Sequence, residues 1–176
     1  VTDGWYVITA GPSAGKSSVI RELSSRGYKT LPEAARILFD QTISEGGSPE
    51  QKRQEDDFHK QVESIDRRME RNISENEIVF MDRSLADNIA YRQHFGNHRC
   101  RRYHELQAEC NSRYDKVFVL DRLNFEDDEV RVEDEQEAQE IHETILRVYN
   151  NLNCDVHSIE VMPVSERADR IESLIL

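Results

Sequence analysis

Trp5-Tyr6-Val7-Ile8-Thr9-Ala10-Gly11-Pro12-Ser13-Ala14-Gly15-Lys16-Ser17-Ser18 is the stretch whose reading decides the fold. Its first half is aromatic and β-branched, the composition of a buried strand. Its second half is small and ends in Gly15-Lys16-Ser17, after which Val19, Ile20 and Leu23 set a helical period. From Ala10 to Ser17 the residues match the phosphate-binding loop pattern, with Ala10 in place of its first glycine. Small residues let successive backbone N–H groups turn inward around an anion, and the following helix points its positive end at the same place. Gly11, Pro12, Ser13, Ala14, Gly15, Lys16, Ser17 and Ser18 are therefore candidate contacts of a nucleoside triphosphate, ATP or GTP. Lys16 would place a point charge on the β and γ phosphates, and the Ser17 hydroxyl would sit on Mg²⁺.

A metal held by such a loop needs a carboxylate. Ile78-Val79-Phe80-Met81-Asp82 is a continuous apolar run ending in an acid, the form of a buried parallel strand that delivers a carboxylate to the sheet's carboxyl edge. Val117-Phe118-Val119-Leu120-Asp121 has the same form, but Arg83 and Ser84 complete a box after Asp82, so Asp82 is the preferred metal ligand. Between these runs the chain alternates strand and helix, the α/β pattern. Tyr28–Leu31 and Val156–Met162 are the other two strands, making five. Helices are expected from Gly15 to Arg26, Glu33 to Glu45, Leu85 to His94, Arg99 to Ser112 and Gln136 to Leu152. Phe58, Val62, Ile65, Met69 and Ile73 form one apolar stripe on a long helix beginning near Glu50, whose polar face borders an acceptor pocket. Ser165 caps a last short helix.

The chain has 176 residues, with 35 acidic and 23 basic side chains and a net charge of −12. One domain spanning 1–176 is the default at this length. Such a field repels polyphosphate backbones, so nonspecific nucleic-acid binding is not expected and any phosphate must be held locally. No run approaches the ~20 apolar residues of a membrane span, and no signal-peptide pattern opens the sequence. Three cysteines without a C-x-x-C pair fit a reduced, cytoplasmic protein. His98, Cys100, His104 and Cys110 match no common zinc spacing and read as surface helix residues. Arg92, Arg99, Arg101, Arg102, Arg113 and Lys116 form a locally basic stretch, read as a solvated helix face.

Three segments carry a resemblance. The phosphate loop, Leu31-Pro32-Glu33-Ala34-Ala35-Arg36 and Val79-Phe80-Met81-Asp82-Arg83-Ser84 resemble the AAA-type P-loop ATPase/kinase family that includes the ribosylnicotinamide kinase domain of the NadR regulator. Residues Asp127–Asp134 are similar to that family's lid, and Val161–Arg167 to its last strand and helix start. Glu33 and the Asp82-Arg83-Ser84 box are also similar to deoxynucleoside and thymidylate kinases. The resemblance implies a three-layer P-loop NTPase: a five-stranded parallel sheet, order 2-3-1-4-5, with helices on both faces. It implies a lid loop at about 122–134 and a helical acceptor-side region at about 33–76. The expected activity is Mg²⁺-dependent transfer of a γ-phosphoryl to a nucleoside- or nucleotide-like acceptor. The alternative is a nucleotide-binding switch or slow NTPase acting through a protein or lipid partner.

Under that strand order Glu33 and Asp82 reach the same edge of the loop. Glu33 would take a proton from the acceptor or hydrogen-bond a sugar, or serve only as an acid at a helix N-terminus. Arg36 would reach acceptor or phosphate oxygens, or merely solvate its helix. An arginine after a buried strand needs an anionic partner, so Arg83 is a candidate for substrate or phosphate contact, with Asp87 as its structural alternative. Phe58 completes the acceptor pocket with Glu33, Arg36 and Arg83. Arg122 and Arg131 flank an acidic loop: Arg131 holds the lid position for transition-state charge, and Arg122 borders the nucleotide. Val164, after the last strand, would contact the base through its backbone.

Overall fold

The computed structural model describes residues 2–74, 77–95, 101–122 and 132–175. Five strands, β1 (Thr2–Thr9), β2 (Lys29–Leu31), β3 (Val79–Asp82), β4 (Tyr114–Leu120) and β5 (Asp155–Ile159), form one parallel sheet in the order β2-β3-β1-β4-β5. The helices are α1 (Lys16–Ser25), α2 (Ala34–Ser44), α3 (Pro49–Arg53), α4 (Phe58–Glu70), α5 (Asp87–His94), α6 (Arg101–Cys110), α7 (Val132–Asn150) and α8 (Val164–Ile175).

Why the strands read as unbroken apolar runs is visible in how their side chains divide. Val7, Val79, Met81, Val117 and Val119 point to the face covered by α5, α6 and α7, where Ile89, Leu106, Ile141 and Ile145 pack. Tyr6, Ile8, Phe80, Phe118 and Leu120 point to the other face, under Val19 and Leu23 of α1 and Ile171 of α8. Alternate residues of β3 and of the inner ends of β1 and β4 therefore enter different cores, which is why these runs are apolar throughout. The edge strands β2 and β5 keep polar residues. A third cluster, Ala34, Leu38, Phe58, Val62 and Ile65, joins α2 to α4 beyond the β2 edge of the sheet.

Several boundaries differ from the sequence reading. The long helix expected from Glu50 is two helices: α3 is capped by Ser48, whose Oγ accepts from Gln51 N at 3.5 Å, and ends at Arg53. Glu55-Asp56-Asp57 would oppose the negative end of α3 but suit the positive end of α4, which favours a break between them. Ile73 falls beyond α4 and packs on the α5–α7 core instead of continuing the stripe. Helix α7 starts at Val132, four residues before the expected Gln136, so the end of the acidic segment is helical. Ser165 lies inside α8, not at its cap, because the helix begins at Val164 directly after Pro163.

Two residues of the basic stretch, Arg92 and Arg113, do not form a solvated face; Arg99 lies outside the described residues. Arg92 is buried and its guanidinium donates to Glu63 at 2.9 and 2.6 Å, while Arg113 donates to the buried Glu70 at 2.8 Å. These cations are spent inside the fold, pairing acids that α4 brings in. Cys110 is buried in the core and Cys154 half-buried, both as free thiols; His98 and Cys100 lie outside the described residues. Among the described residues no helix is long and apolar enough to cross a membrane.

Phe118 has no exposed surface and joins Tyr6 and Ile8 in the α1–α8 core. Phe118→Ala is expected to lower unfolding free energy by about 3–5 kcal/mol, read as a shift of the urea midpoint at unchanged slope. A loss under ~1 kcal/mol would mean that this core collapses around the cavity.

Candidate active site

Parallel pairing brings three strand ends to one edge. Ile8 stands opposite Asp82, and Leu31 opposite Met81, so Thr9, Glu33 and Arg83 all emerge beside the loop at 10–15. This is where β1 lies between β3 and β4 and the connection reverses direction, the crevice where α/β sheets hold ligands.

The loop itself is braced through its carbonyls. Arg122 Nε donates to Pro12 O at 3.2 Å, and Arg167 Nη1 donates to Ala14 O at 2.6 Å. Arg167 is buried and also donates to Glu160 O and Asp121 O, so one side chain ties the loop to the ends of β4 and β5. Gly11 N donates to His142 Nδ1 on α7 at 3.2 Å. Only glycine fits there, since a Cβ on Gly11 would lie 2.7 Å from His142 Cβ and 2.8 Å from Ala138 O. Ser13 and Gly15 take left-handed backbone, with φ of 64° and 76°, and α1 begins at Lys16. Among the described residues the N–H groups from Ser13 to Ser17 have no protein acceptor. A row of free donors at the head of a ten-residue helix is an anion cradle.

Charged side chains converge on the cradle. The Lys16 ammonium is ion-paired with Asp82 and stands 3.6 Å from Glu33. Arg83 Nε donates to Glu33 at 3.2 Å, and its Nη1 donates to Ala10 O at 2.9 Å and Asp87 at 3.2 Å. Its guanidinium also lies over the Tyr91 ring at 5.2 Å. Burial raises the Glu33 carboxyl, but Arg83 and Lys16 outweigh it and hold the group below its ordinary value. Burial pushes Asp82 upward against the pull of Lys16, with Glu33 adding to the rise. Two neighbouring carboxylates are thus driven apart, Glu33 toward the anion and Asp82 toward the acid. For Arg83, burial works against the charge, yet Tyr91, Glu33 and Asp87 overcome it. Asp87 is itself held by Thr9 Oγ1 at 2.5 Å, Tyr149 at 2.6 Å and Ser84 N at 2.9 Å.

The expected site residues therefore separate into groups. Lys16, Glu33, Asp82 and Arg83 meet in one cluster. Arg83 is in contact with Asp87 as well as Glu33, so its functional and structural partners coexist. Glu33 is the N-cap residue of α2, but its side chain turns to Lys16 and Arg83 and makes no capping bond. Phe58 lines a cavity of about 550 Å³ with Glu33, Arg83 and Pro12. Arg36 is exposed on α2 and is not among that cavity's walls. Ser17 and Val164 are exposed at the starts of α1 and α8. Arg122 is within 2.9 Å of Glu135 and braces α7 against the loop, while Arg131 lies outside the described residues. Mg²⁺ takes hard oxygen ligands, usually one or two carboxylates with phosphate oxygens and water. Ser17 Oγ and Asp82 supply donors of that kind, so the residues fit the ion.

Sequence reasoning passed over His142 and Arg167. His142 occupies the apolar stripe Ala138-His142-Ile145-Tyr149, and a polar residue on such a face was the available signal. Arg167 is one of two arginines in the last helix, and nothing local to it announces three carbonyl partners.

Comparison with known proteins places this geometry. A family profile described as an AAA domain matches residues 5–167. The chain belongs to the AAA domain family. Thymidylate kinase from Candida albicans superimposes with a TM-score of 0.63 at 12% identity, covering 98% of this chain and 91% of that one. YorR from Bacillus subtilis, solved with phosphorylated GDP, gives 0.61 at 17%, covering 97% and 94%. Shikimate kinase from Aquifex aeolicus gives 0.56 at 17%, again covering 97% and 94%. No curated protein matches the chain in sequence. At these identities the likeness is one of fold: this AAA domain has the P-loop kinase architecture.

His142 offers a test of the bracing. Burial lowers its pKa from the ordinary 6.5, with Asp121 opposing and Arg122 assisting. A depressed folded pKa contributes stability that is present above the unfolded value and lost as pH falls through the folded one. Urea stability is therefore expected to drop as pH is lowered from about 7.5 to about 5. His142→Gln keeps an acceptor for Gly11 N–H without titrating and should show a shallower drop. Identical slopes would exclude the His142 contact as a source.

Proposed function

We propose that this AAA domain is a small-molecule kinase, moving the γ-phosphoryl of ATP or GTP to a nucleoside- or nucleotide-like acceptor. The observation that carries the reading is the adjacency of two sites. An anion cradle with free N–H groups opens beside a cavity of about 550 Å³, and Lys16, Glu33 and Arg83 stand on the border between them. A switch needs only the cradle, whereas a kinase needs an acceptor space within reach of it.

In this reading the loop N–H groups and Lys16 hold the triphosphate and neutralise charge on its terminal phosphates. Glu33, kept ionised by Arg83 and Lys16, accepts a hydrogen bond from the acceptor hydroxyl. It takes that proton as the new O–P bond forms and the bond to the β-phosphate oxygen breaks, releasing the diphosphate. Arg83 fixes the Glu33 carboxylate from the other side and supplies positive charge at the acceptor. Ser17 and Asp82 would hold Mg²⁺, which when bound neutralises phosphate oxygens. Arg131 would add charge from the segment after Arg122, and Arg122 and Val164 would border the nucleotide. Arg36 would act from the cavity's rim. We assign the whole of 1–176 to this one domain and place its work in the cytoplasm.

The test supplies purified protein with labelled ATP or GTP and a panel of nucleosides and nucleotides. Label is expected on an acceptor, Lys16→Ala should abolish transfer, and Glu33→Gln should slow it about a hundredfold or more with little change in nucleotide affinity. Slow hydrolysis that no acceptor alters would favour the switch. Unchanged turnover in Glu33→Gln would remove it as the base.

A further inference from the structure

The cavity holds side chains that phosphoryl transfer does not use. Across α4 and α5, Asn88 Nδ2 donates to Asp66 Oδ2 at 3.0 Å, and His59 stands two turns before Asp66 on α4. All three line the cavity. Burial, helped by Arg92, holds His59 below its ordinary value and favours the neutral imidazole. Burial, helped by Glu70 and Asp87, drives Asp66 far upward and favours the neutral acid. An imidazole, an amide and a carboxylic acid each combine a donor with an acceptor when uncharged. They form a hydrogen-bonding strip beside two aromatic pairs that also line the cavity. Phe39 and Phe58 stack with centroids 5.6 Å apart and planes 14° apart, and Tyr91 and Phe95 stack at 6.3 Å and 20°. Such walls suit a flat ring.

Charge narrows the ligand further. Glu33, Asp66, Asp87 and Glu137 line the cavity, and among the described residues its lining cations are Arg53 and Arg83. Arg83 is already shared by Glu33, Asp87 and the Ala10 carbonyl, and Arg53 is exposed, lying 5.1 Å over the Phe39 ring. A phosphate dianion seated here would have to draw Arg83 away from two carboxylates and leave them facing each other.

Resting on the kinase reading of this site, we infer that the acceptor is an unphosphorylated alcohol with a flat ring, a nucleoside rather than a nucleotide, whose ring edge is read by Asn88 and Asp66. The hydroxyl of such a ligand meets Glu33, and its ring lies among the aromatic walls. Asn88 is the specificity-determining residue: it is buried, and its amide is held in orientation by Asp66. A group fixed in this way discriminates ring edges more sharply than a free one.

Calorimetric titration of the purified chain with common nucleosides, nicotinamide riboside, the corresponding 5′-monophosphates and ribose tests it. A nucleoside should bind, its monophosphate about tenfold more weakly or worse, and ribose not at all, the first step being the size of one good hydrogen bond or ion contact. Asn88→Leu and the near-isosteric Asn88→Asp should each weaken the bound nucleoside about tenfold or more. Thermal melts show which variant is folded, and Asn88→Asp carries the test if Asn88→Leu is not. Absence of nucleoside binding, a monophosphate or ribose binding as tightly as any nucleoside, or wild-type affinity in a folded Asn88 variant would overturn the inference. Label transfer to a monophosphate would overturn it while leaving the kinase intact. Nucleoside binding through Asn88 without transfer to any acceptor would remove the kinase and leave this subsite.

Discussion

Arg83 sits at the seam on which the rest of the molecule turns. It follows β3 with a left-handed backbone, φ 67°, that a residue with a side chain adopts only when its surroundings insist. Its N–H donates to Ile8 O at 3.0 Å, so the turn is tied to the end of β1. The side chain then reaches Ala10 at the root of the loop, Glu33 at the head of α2 and Asp87 at the head of α5. The loop, the head of α2 and the head of α5 meet on one guanidinium. Taking it away would leave Asp87 buried without a counter-charge, a far larger penalty than the loss of an exposed pair. The strain at φ and the buried charge are thus balanced by the same set of contacts.

The loop shows the complementary arrangement. A phosphate cradle needs its N–H groups free, yet a loop with free donors and free acceptors would have little to hold its shape. Here the acceptors are occupied from outside, Pro12 O by Arg122 and Ala14 O by Arg167, and the donors from Ser13 to Ser17 stay available. Arg122 and His142 also tie the loop to α7, and Arg167 ties it to α8. The cradle is therefore fixed by side chains from the last third of the chain, while its motif lies near the beginning. Acidic as the chain is by composition, the cations that matter for phosphate stand on one edge: Lys16 and Arg83 beside the cradle, Arg122 and Arg167 behind it.

Much of this was legible in the residues. The β1-loop-α1 unit, the apolar runs of β3 and β4, and the stripe of α7 all follow from periodicity, since a strand covered on both faces leaves no alternative pattern. Helix ends were less legible. The break between α3 and α4 depends on which helix terminus the acids at 55–57 serve, a choice that local propensity leaves balanced. Ion pairing was the least legible of all: Arg92 and Arg113 look like solvated charge until α4 delivers Glu63 and Glu70 to them. The pairing of residues 29 and 43 positions away is a property of packing, not of pattern.

By itself the sequence determined the chemistry available at the cradle: a strand, a small-residue loop, a lysine and a helix in that order, with an acid ending another apolar strand. Backbone geometry makes that sufficient, because the loop's donors and its helix terminus are local to one segment. Tertiary structure alone decided what lies beside the cradle. The hydrogen-bonding strip of His59, Asn88 and Asp66, the two aromatic pairs and the sharing of Arg83 between two carboxylates arise where α2, α4 and α5 meet. No spacing along the chain encodes those encounters, for the reason that burial and partner together set each group's charge. The cavity beside the cradle exists only once the helices are packed.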